Sequence, residues 1–173
     1  MTYGPQRIYL LSTGGTIEKV YSEQTGSVIN VESKIDRYLT RLRLPETEVI
    51  VRHLMNKDSL EMTTEDRAVV LTAVFDCMKH NAPVVISHGT DTMVDTGLYL
   101  AAHLPRTEIP ILLTGAMTPL GFEGTDGLQN LTESLLAARL VSPGIYVVMH
   151  NEVFPVDQVR KDKELGRFVR VQN

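Results

Sequence analysis

Two hydroxyl-bearing turns are the places in this chain where chemistry could be done. The first is Ser12-Thr13-Gly14-Gly15-Thr16-Ile17 and the second is Ser87-His88-Gly89-Thr90-Asp91-Thr92. In each, a glycine frees the backbone to bend and to approach a ligand without a Cβ in the way. A threonine follows at once. Its hydroxyl is a weak nucleophile until a neighbouring base takes the proton. Chemistry at Thr16 therefore calls for a second hydroxyl, a carboxylate and an amine. Thr90 and Asp91 supply the first two. Lys161, in Asp157-Gln158-Val159-Arg160-Lys161-Asp162, supplies an amine that could relay a threonine proton while the carboxylate keeps the trio organised.

Each of these residues also has a plainer role. A strand followed by a tight turn explains Gly14 and Gly15. Threonine and aspartate are preferred helix N-caps, which would place Thr90 and Asp91 before a helix in any case. His88 suits a satisfied packing position, and a charge run such as that around Lys161 usually forms solvated surface. A phosphate loop is excluded, because no second glycine precedes a Lys-Ser or Lys-Thr pair. Capping and catalysis both stay open for the second turn, as do surface and catalysis for Lys161.

The elements that must carry these turns alternate between strand-like and helix-like segments, which predicts a mostly parallel sheet covered by helices. Ile8 to Leu11 is an apolar strand that runs straight into the first turn. Glu18 to Asn30 is polar and forms a mobile loop or hairpin. Ile35, Tyr38, Leu39 and Leu42 have helical spacing within Val31 to Leu44, and Pro45 ends that helix. Glu48 to Met55 is the second strand, followed by a polar loop from Asn56 to Glu61. Thr63-Thr64-Glu65-Asp66 caps a helix reaching Lys79. Pro83 to Ser87 is a strand buried on both faces, and the second turn leads from it into a helix ending near His103. Pro110 to Leu113 and Gly144 to Met149 are the remaining strands, with a helix from Leu128 to Leu140 between them. His150 to Asn173 is too charged for a core element and reads as a hairpin or an arm packed on a neighbour. In such sheets, ligands sit beyond the carboxyl ends of the strands.

With 173 residues and no linker, repeat or low-complexity block, residues 1–173 are expected to form one domain. Hydrophobic residues at 43% and charged residues at 22% specify a folded globular chain. A net charge of −4 with no long basic run argues against nucleic acid as a partner. The single cysteine, Cys77, excludes an internal disulfide framework and a Cys-rich zinc site, and its helical setting makes it a small core residue. No apolar run approaches the ~18 residues of a membrane span, and Met1 to Arg7 lacks the apolar core of a signal peptide. The expectation is a soluble, cytoplasmic chain without membrane association.

Together these motifs resemble bacterial-type L-asparaginases. The two turns are similar to the family's two signature motifs. Leu113-Thr114-Gly115-Ala116-Met117-Thr118-Pro119, with Asp126-Gly127 and Asn130, resembles a third stretch in the same order. The likeness is to the amino-terminal domain, as in a short member lacking the smaller carboxyl-terminal domain. It implies a flavodoxin-like or Rossmann-like three-layer α/β sandwich and hydrolysis of L-asparagine to L-aspartate and ammonia, with no metal or organic cofactor. Carried over, Thr16 matches the nucleophilic threonine, Thr90 and Asp91 the second-motif pair, and Lys161 the lysine that completes it. Ser59 matches a serine that binds the substrate α-carboxylate, Asp91 grips the α-ammonium, and Ala116 lines the pocket near the side-chain amide. Gly15, Asp58 and Gly89 complete the substrate-binding set. The family also implies a homodimer or homotetramer.

Three departures from the family pattern are visible. Tyr21, the candidate for the catalytic tyrosine of the mobile loop, comes early in that loop, where an ordinary loop aromatic would also fit. Leu60 stands where relatives commonly carry a glutamine. In long members a neighbouring subunit's carboxyl-terminal domain helps to close the pocket, so this chain would need His150 to Asn173 of a partner or would bind substrate weakly. Two rival functions remain: a glutaminase-asparaginase, and a non-catalytic module that binds asparagine or aspartate.

Overall fold

A computed structural model describes residues 6–29 and 35–171. In chain order it comprises strand β1 (Gln6–Gly14), strands β2 (Val20–Ser22) and β3 (Ser27–Ile29), helix α1 (Ile35–Leu39) and strand β4 (Thr47–Lys57). Helix α2 (Thr64–Met78), strand β5 (Val84–Ser87), helix α3 (Met93–His103) and strand β6 (Pro110–Thr114) follow. Helix α4 (Gly127–Ala137), strands β7 (Gly144–Met149) and β8 (Glu152–Pro155), and strands β9 (Val159–Asp162) and β10 (Arg167–Arg170) complete the described chain.

Six strands form one sheet in the order β4-β1-β5-β6-β7-β8. Neighbours pair in parallel except β8, which runs antiparallel to β7. Strand periodicity divides the core into two layers. Tyr9, Leu11, Val84, Ile86, Ile111 and Leu113 face α2 and α3, where they meet Val70, Val74, Cys77 and Leu100. Ile8, Leu10, Val85 and Leu112 point the other way, against Ile35 of α1 and Leu131 and Leu135 of α4. The result is a three-layer α/β sandwich with a mostly parallel sheet, as the alternating pattern predicts. Among the described residues no helix is long and apolar enough to cross a membrane.

This strand order sets the location of a site. From β1 the chain moves outward to β4, then returns to the other side of β1 as β5. Connections after β1 and β5 therefore leave in opposite directions, opening a crevice at the carboxyl ends of that pair. Both hydroxyl turns lie there, and Ser12 and Ser87 are direct register partners.

Several boundaries differ from the sequence expectation. The helix expected over Val31 to Leu44 is described only from Ile35, ends at Leu39 and continues as turns; residues 31–34 lie outside the described residues. β4 extends through Lys57, because Gly14 pairs with Lys57 after a register irregularity. Within the expected loop or hairpin, Val20 to Ile29 forms the β2–β3 hairpin, while Glu18 closes a 3-10 turn before it. α2 starts as expected: the Thr63 hydroxyl accepts from Asp66 N–H at 3.2 Å while Asp66 accepts from Thr63 N–H at 2.9 Å.

The larger correction concerns the segment after His150. It does contain a hairpin, β9–β10, but it also supplies core. Phe154, Val156, Val159 and Phe168 are buried in the α2/α3 layer, and β8 extends the main sheet. Average charge conceals this, since buried apolar residues alternate with exposed charged ones. Gly97 of α3 packs directly against Val156, leaving no room for a Cβ. Gly97→Ala is therefore expected to cost about 1–3 kcal/mol in urea unfolding. Combining it with Val156→Ala should cost less than the sum of the single changes. Strict additivity would contradict this contact.

Candidate active site

Close backbone packing brings the strand exits together. Gly15 has φ of +80°, a region L side chains rarely adopt, and its N–H donates to Lys57 O at 2.8 Å. A Cβ on Gly15 would lie 2.5 Å from Gly89 Cα, so the two hydroxyl turns touch backbone to backbone. A Cβ on Gly89 would in turn lie 2.5 Å from Ser59 Oγ. First turn, second turn and serine thus stack in one file, with room for nothing larger than glycine at either contact.

Thr16 opens a short 3-10 turn and is half-buried. Its hydroxyl makes no hydrogen bond among the described residues. Behind it the chain is fixed: Ile17 and Glu18 are buried, and the Ser12 hydroxyl donates to Glu18 Oε1 at 2.7 Å. Thr13 is also committed, donating to Ser87 O at 2.9 Å.

The second turn resolves the capping question. α3 begins at Met93 with Thr92 in the N-cap position, so neither Thr90 nor Asp91 caps it. Thr90 is buried, and its Oγ1 accepts from Lys161 Nζ at 2.7 Å. The same ammonium donates to Asp91 Oδ1 at 2.8 Å. Lys161 lies on β9, and its side chain is only 17% exposed despite the charged sequence around it. The solvated-surface alternative does not hold.

The serine turn is tied to both neighbours. Thr92 Oγ1 donates to Ser59 O at 2.8 Å. Asp58 caps the turn by accepting from Leu60 N–H at 3.0 Å, and its other oxygen takes Lys19 Nζ at 2.6 Å. The Lys19 contact, followed by the Leu60 N–H, holds the Asp58 carboxyl below its ordinary pKa. Both oxygens of Asp58 are thus engaged within the protein. Ser59 itself is buried, and Leu60 is exposed. Nothing local in the sequence marks Lys19 or Thr92 for these contacts, because their partners Asp58 and Ser59 lie far away in the chain.

Ala116 is buried in a small apolar cluster with Ile17, Tyr38 and Leu120. Tyr21 lies on β2, opposite Val28, and is 59% exposed. Cys77 is buried, which pushes its thiol up to about 11, as suits a core residue. Among the described residues no three His, Cys, Asp or Glu side chains are grouped as a metal site would require. A separate groove of about 520 Å³ between α2 and β4, lined by Arg52, Leu54, Val69 and Asp76, holds none of the candidate residues.

His88 braces the second turn from below. Its Nδ1 lies 2.8 Å from Gly89 O and its Nε2 2.8 Å from Thr96 Oγ1. A carbonyl can only accept, so Nδ1 carries the proton. Arg67 Nε donates to Thr96 Oγ1 at 3.1 Å, leaving the threonine proton for Nε2. Every polar atom of the ring is satisfied in the neutral form. Burial lowers the His88 pKa from 6.5 to about 4. Above pH 6.5 both folded and unfolded chains hold it neutral; as pH falls from 6.5 toward 4, only the unfolded chain gains the proton, and stability declines. His88→Gln is expected to flatten the fall in urea midpoint between about pH 7 and 5. An undiminished slope would contradict a buried neutral ring.

Known proteins resemble this chain over most of its length. A family profile described as the N-terminal domain of asparaginase matches residues 7–167. The L-asparaginase of Thermococcus kodakarensis is 31% identical over 160 residues, covering 92% of this chain and 49% of that protein. The probable periplasmic L-asparaginase of Haemophilus influenzae is 29% identical over 166 residues, covering 89% of this chain and 46% of the relative. Among solved structures, the thermostable L-asparaginase from Thermococcus kodakarensis superposes with a TM-score of 0.87 at 30% identity, covering 96% of this chain and 51% of that one. L-asparaginase I from Vibrio cholerae gives 0.82 at 25% identity, covering 96% and 52%. The chain spans about half the length of these asparaginases.

Proposed function

Because the chain belongs to the asparaginase family, through that family's N-terminal domain, we propose that it hydrolyses L-asparagine to L-aspartate and ammonia, with Thr16 as nucleophile. The observation that carries this is the contact of Lys161 with Thr90 and Asp91 across 71 and 70 residues of sequence. A lysine serving only as surface charge has no need of a buried threonine hydroxyl.

Substrate recognition follows from charge. Asparagine is a small zwitterion that needs donors for its carboxylate and an acceptor for its ammonium. Ser59 and backbone N–H groups of the two turns other than that of Gly15, which Lys57 O already holds, serve the carboxylate. Asp91 commits one oxygen to Lys161 and offers the other to the ammonium. Asp58 acts by shaping the Ser59 turn, and Ala116 borders the side-chain amide.

The chemistry runs in two halves. Thr16 Oγ bonds to the amide carbon while its proton passes toward the departing nitrogen. Backbone N–H groups at the strand exits stabilise the oxyanion. The C–N bond breaks, ammonia leaves, and an aspartyl ester remains on Thr16. A water then attacks that ester, its proton returning to Thr16 Oγ, with the Thr90–Lys161 pair relaying protons. Thr16 is assigned the attack because the residue is half-buried and its hydroxyl is unengaged among the described residues, whereas Thr90 is already bound by Lys161. Tyr21, on the hairpin beyond Thr16, would join by hairpin closure over substrate.

Assembly as a homodimer or homotetramer would cover the open crevice, and a single buried cysteine suits the cytoplasm. Asparagine and glutamine differ by one methylene, which a pocket separates by only about 1–3 kcal/mol; kinetics on both decide between asparaginase and glutaminase-asparaginase.

Purified protein is expected to release ammonia from L-asparagine at millimolar concentration. Thr16→Ala should abolish release with an unchanged thermal midpoint, and Lys161→Met should lower kcat by about 10²-fold or more. Thr90→Ala should accumulate the ester on Thr16, visible by intact mass. Turnover surviving in Thr16→Ala would remove that residue from the nucleophile role. Ligand-induced thermal stabilisation without ammonia would favour a binding module instead.

A further inference from the structure

Asp126 stands where a helix-capping aspartate is expected, immediately before α4, yet its side chain makes no cap hydrogen bond to that helix. It turns instead toward the loop after β6. Both carboxylate oxygens lie 3.0 Å from Met117 N, and Oδ1 lies 2.9 Å from Thr118 N. Oδ2 also accepts from Asn130 Nδ2 at 2.9 Å and pairs with His150 Nε2 at 2.8 Å. Asn130 continues the clamp, donating to Gly115 O at 2.9 Å and accepting from His150 N at 2.9 Å. Burial works against the charged carboxylate, but these N–H donors and His150 outweigh it and hold its pKa below the ordinary value.

The clamp grips the backbone on both sides of Ala116: Gly115 through Asn130, and Met117 and Thr118 through Asp126. What it holds reaches Thr16. Ala116 and Leu120 share an apolar cluster with Ile17, and Leu120 N–H donates to Ile17 O at 3.2 Å. Ile17 is the residue next to Thr16. A carboxylate anchored behind β6 and β7 thereby fixes the wall against which the Thr16 turn rests.

We infer that Asp126, paired with His150, is a positioning residue for the Thr16 hydroxyl, acting through the loop from Gly115 to Leu120. This rests on the nucleophilic role proposed for Thr16. Both carboxylate oxygens of Asp126 are taken up by protein groups. Its contribution is orientation, so its loss should lower kcat more than it raises KM.

Asp126→Asn is the sharpest variant. The two side chains have the same shape, but an amide nitrogen cannot accept, so the Thr118 N–H or the Asn130 amide then faces another donor. In the variant, Met117 and Thr118 amides should lose hydrogen-exchange protection and the Thr16 methyl resonance should shift. On L-asparagine, kcat should fall about 10–100-fold with KM within about threefold. His150→Gln keeps the carboxylate and its backbone donors, so it should shift the same signals less; it serves as the test if Asp126→Asn does not fold. An unmoved Thr16 methyl, or an unchanged kcat alongside lost protection of Met117 and Thr118, would overturn the inference. If the unaltered protein released no ammonia, the proposed function would fail instead, and the Thr16 methyl shift alone would decide the role of Asp126.

Discussion

One ammonium, that of Lys161, joins the last hairpin of the described chain to the centre of the sheet. It must sit close to a buried hydroxyl and a carboxylate while remaining largely out of water, which is tolerated only when its hydrogen-bonding capacity is met. Thr90 and Asp91 meet it from one side. The reach comes from β9, a strand docked against α3, which carries the lysine stem to Thr90. Phe154, Val156, Val159 and Phe168 provide that docking by joining the main core. The hairpin is thus held by apolar burial and aimed by a charge.

The other side of the crevice obeys a steric constraint. Gly15, Gly89 and Ser59 are stacked so tightly that any side chain on either glycine would separate the turns. Hydrogen bonds then brace the stack from beneath: Thr13 to Ser87, Thr92 to Ser59, Lys19 to Asp58, and the relay of Arg67, Thr96 and His88 under Gly89. Thr92–Ser59 and Lys19–Asp58 join loops that follow different strands, Thr13–Ser87 ties the strand ends, and the relay ties α2 and α3 to the second turn, so the crevice is cross-braced. Such preorganisation is what a hydroxyl nucleophile requires.

Much of this was legible in the sequence where the signal is local. Short apolar runs ended by Gly-Thr turns give the strands and place Thr16, Thr90 and Asp91 at their exits, and the Thr63 capping box gives the start of α2. What escapes is long-range or averaged. The core residues of the last segment hide among charges because burial there depends on alternation. Asp58 matched a binding set by position, but its partner Lys19 is visible only in three dimensions. Asp126 looks like an ordinary cap by residue type, and only its orientation shows that it holds the backbone of the loop after β6 instead. The short α1 is not a matter of propensity, since Arg41 to Leu44 are good helix formers; the apolar spacing persists there while the backbone tightens into turns bonded three residues back, ahead of Pro45.

The central claim is that Thr16 and Thr90 address the same small amino acid from two sides of the β1/β5 crevice. A crystal structure with L-aspartate bound tests it most directly. The account predicts the aspartate side-chain carboxylate between the two hydroxyls, its ammonium on Asp91 and its α-carboxylate on Ser59. Aspartate bound elsewhere, or seated with either hydroxyl turned away from its side chain, would contradict it.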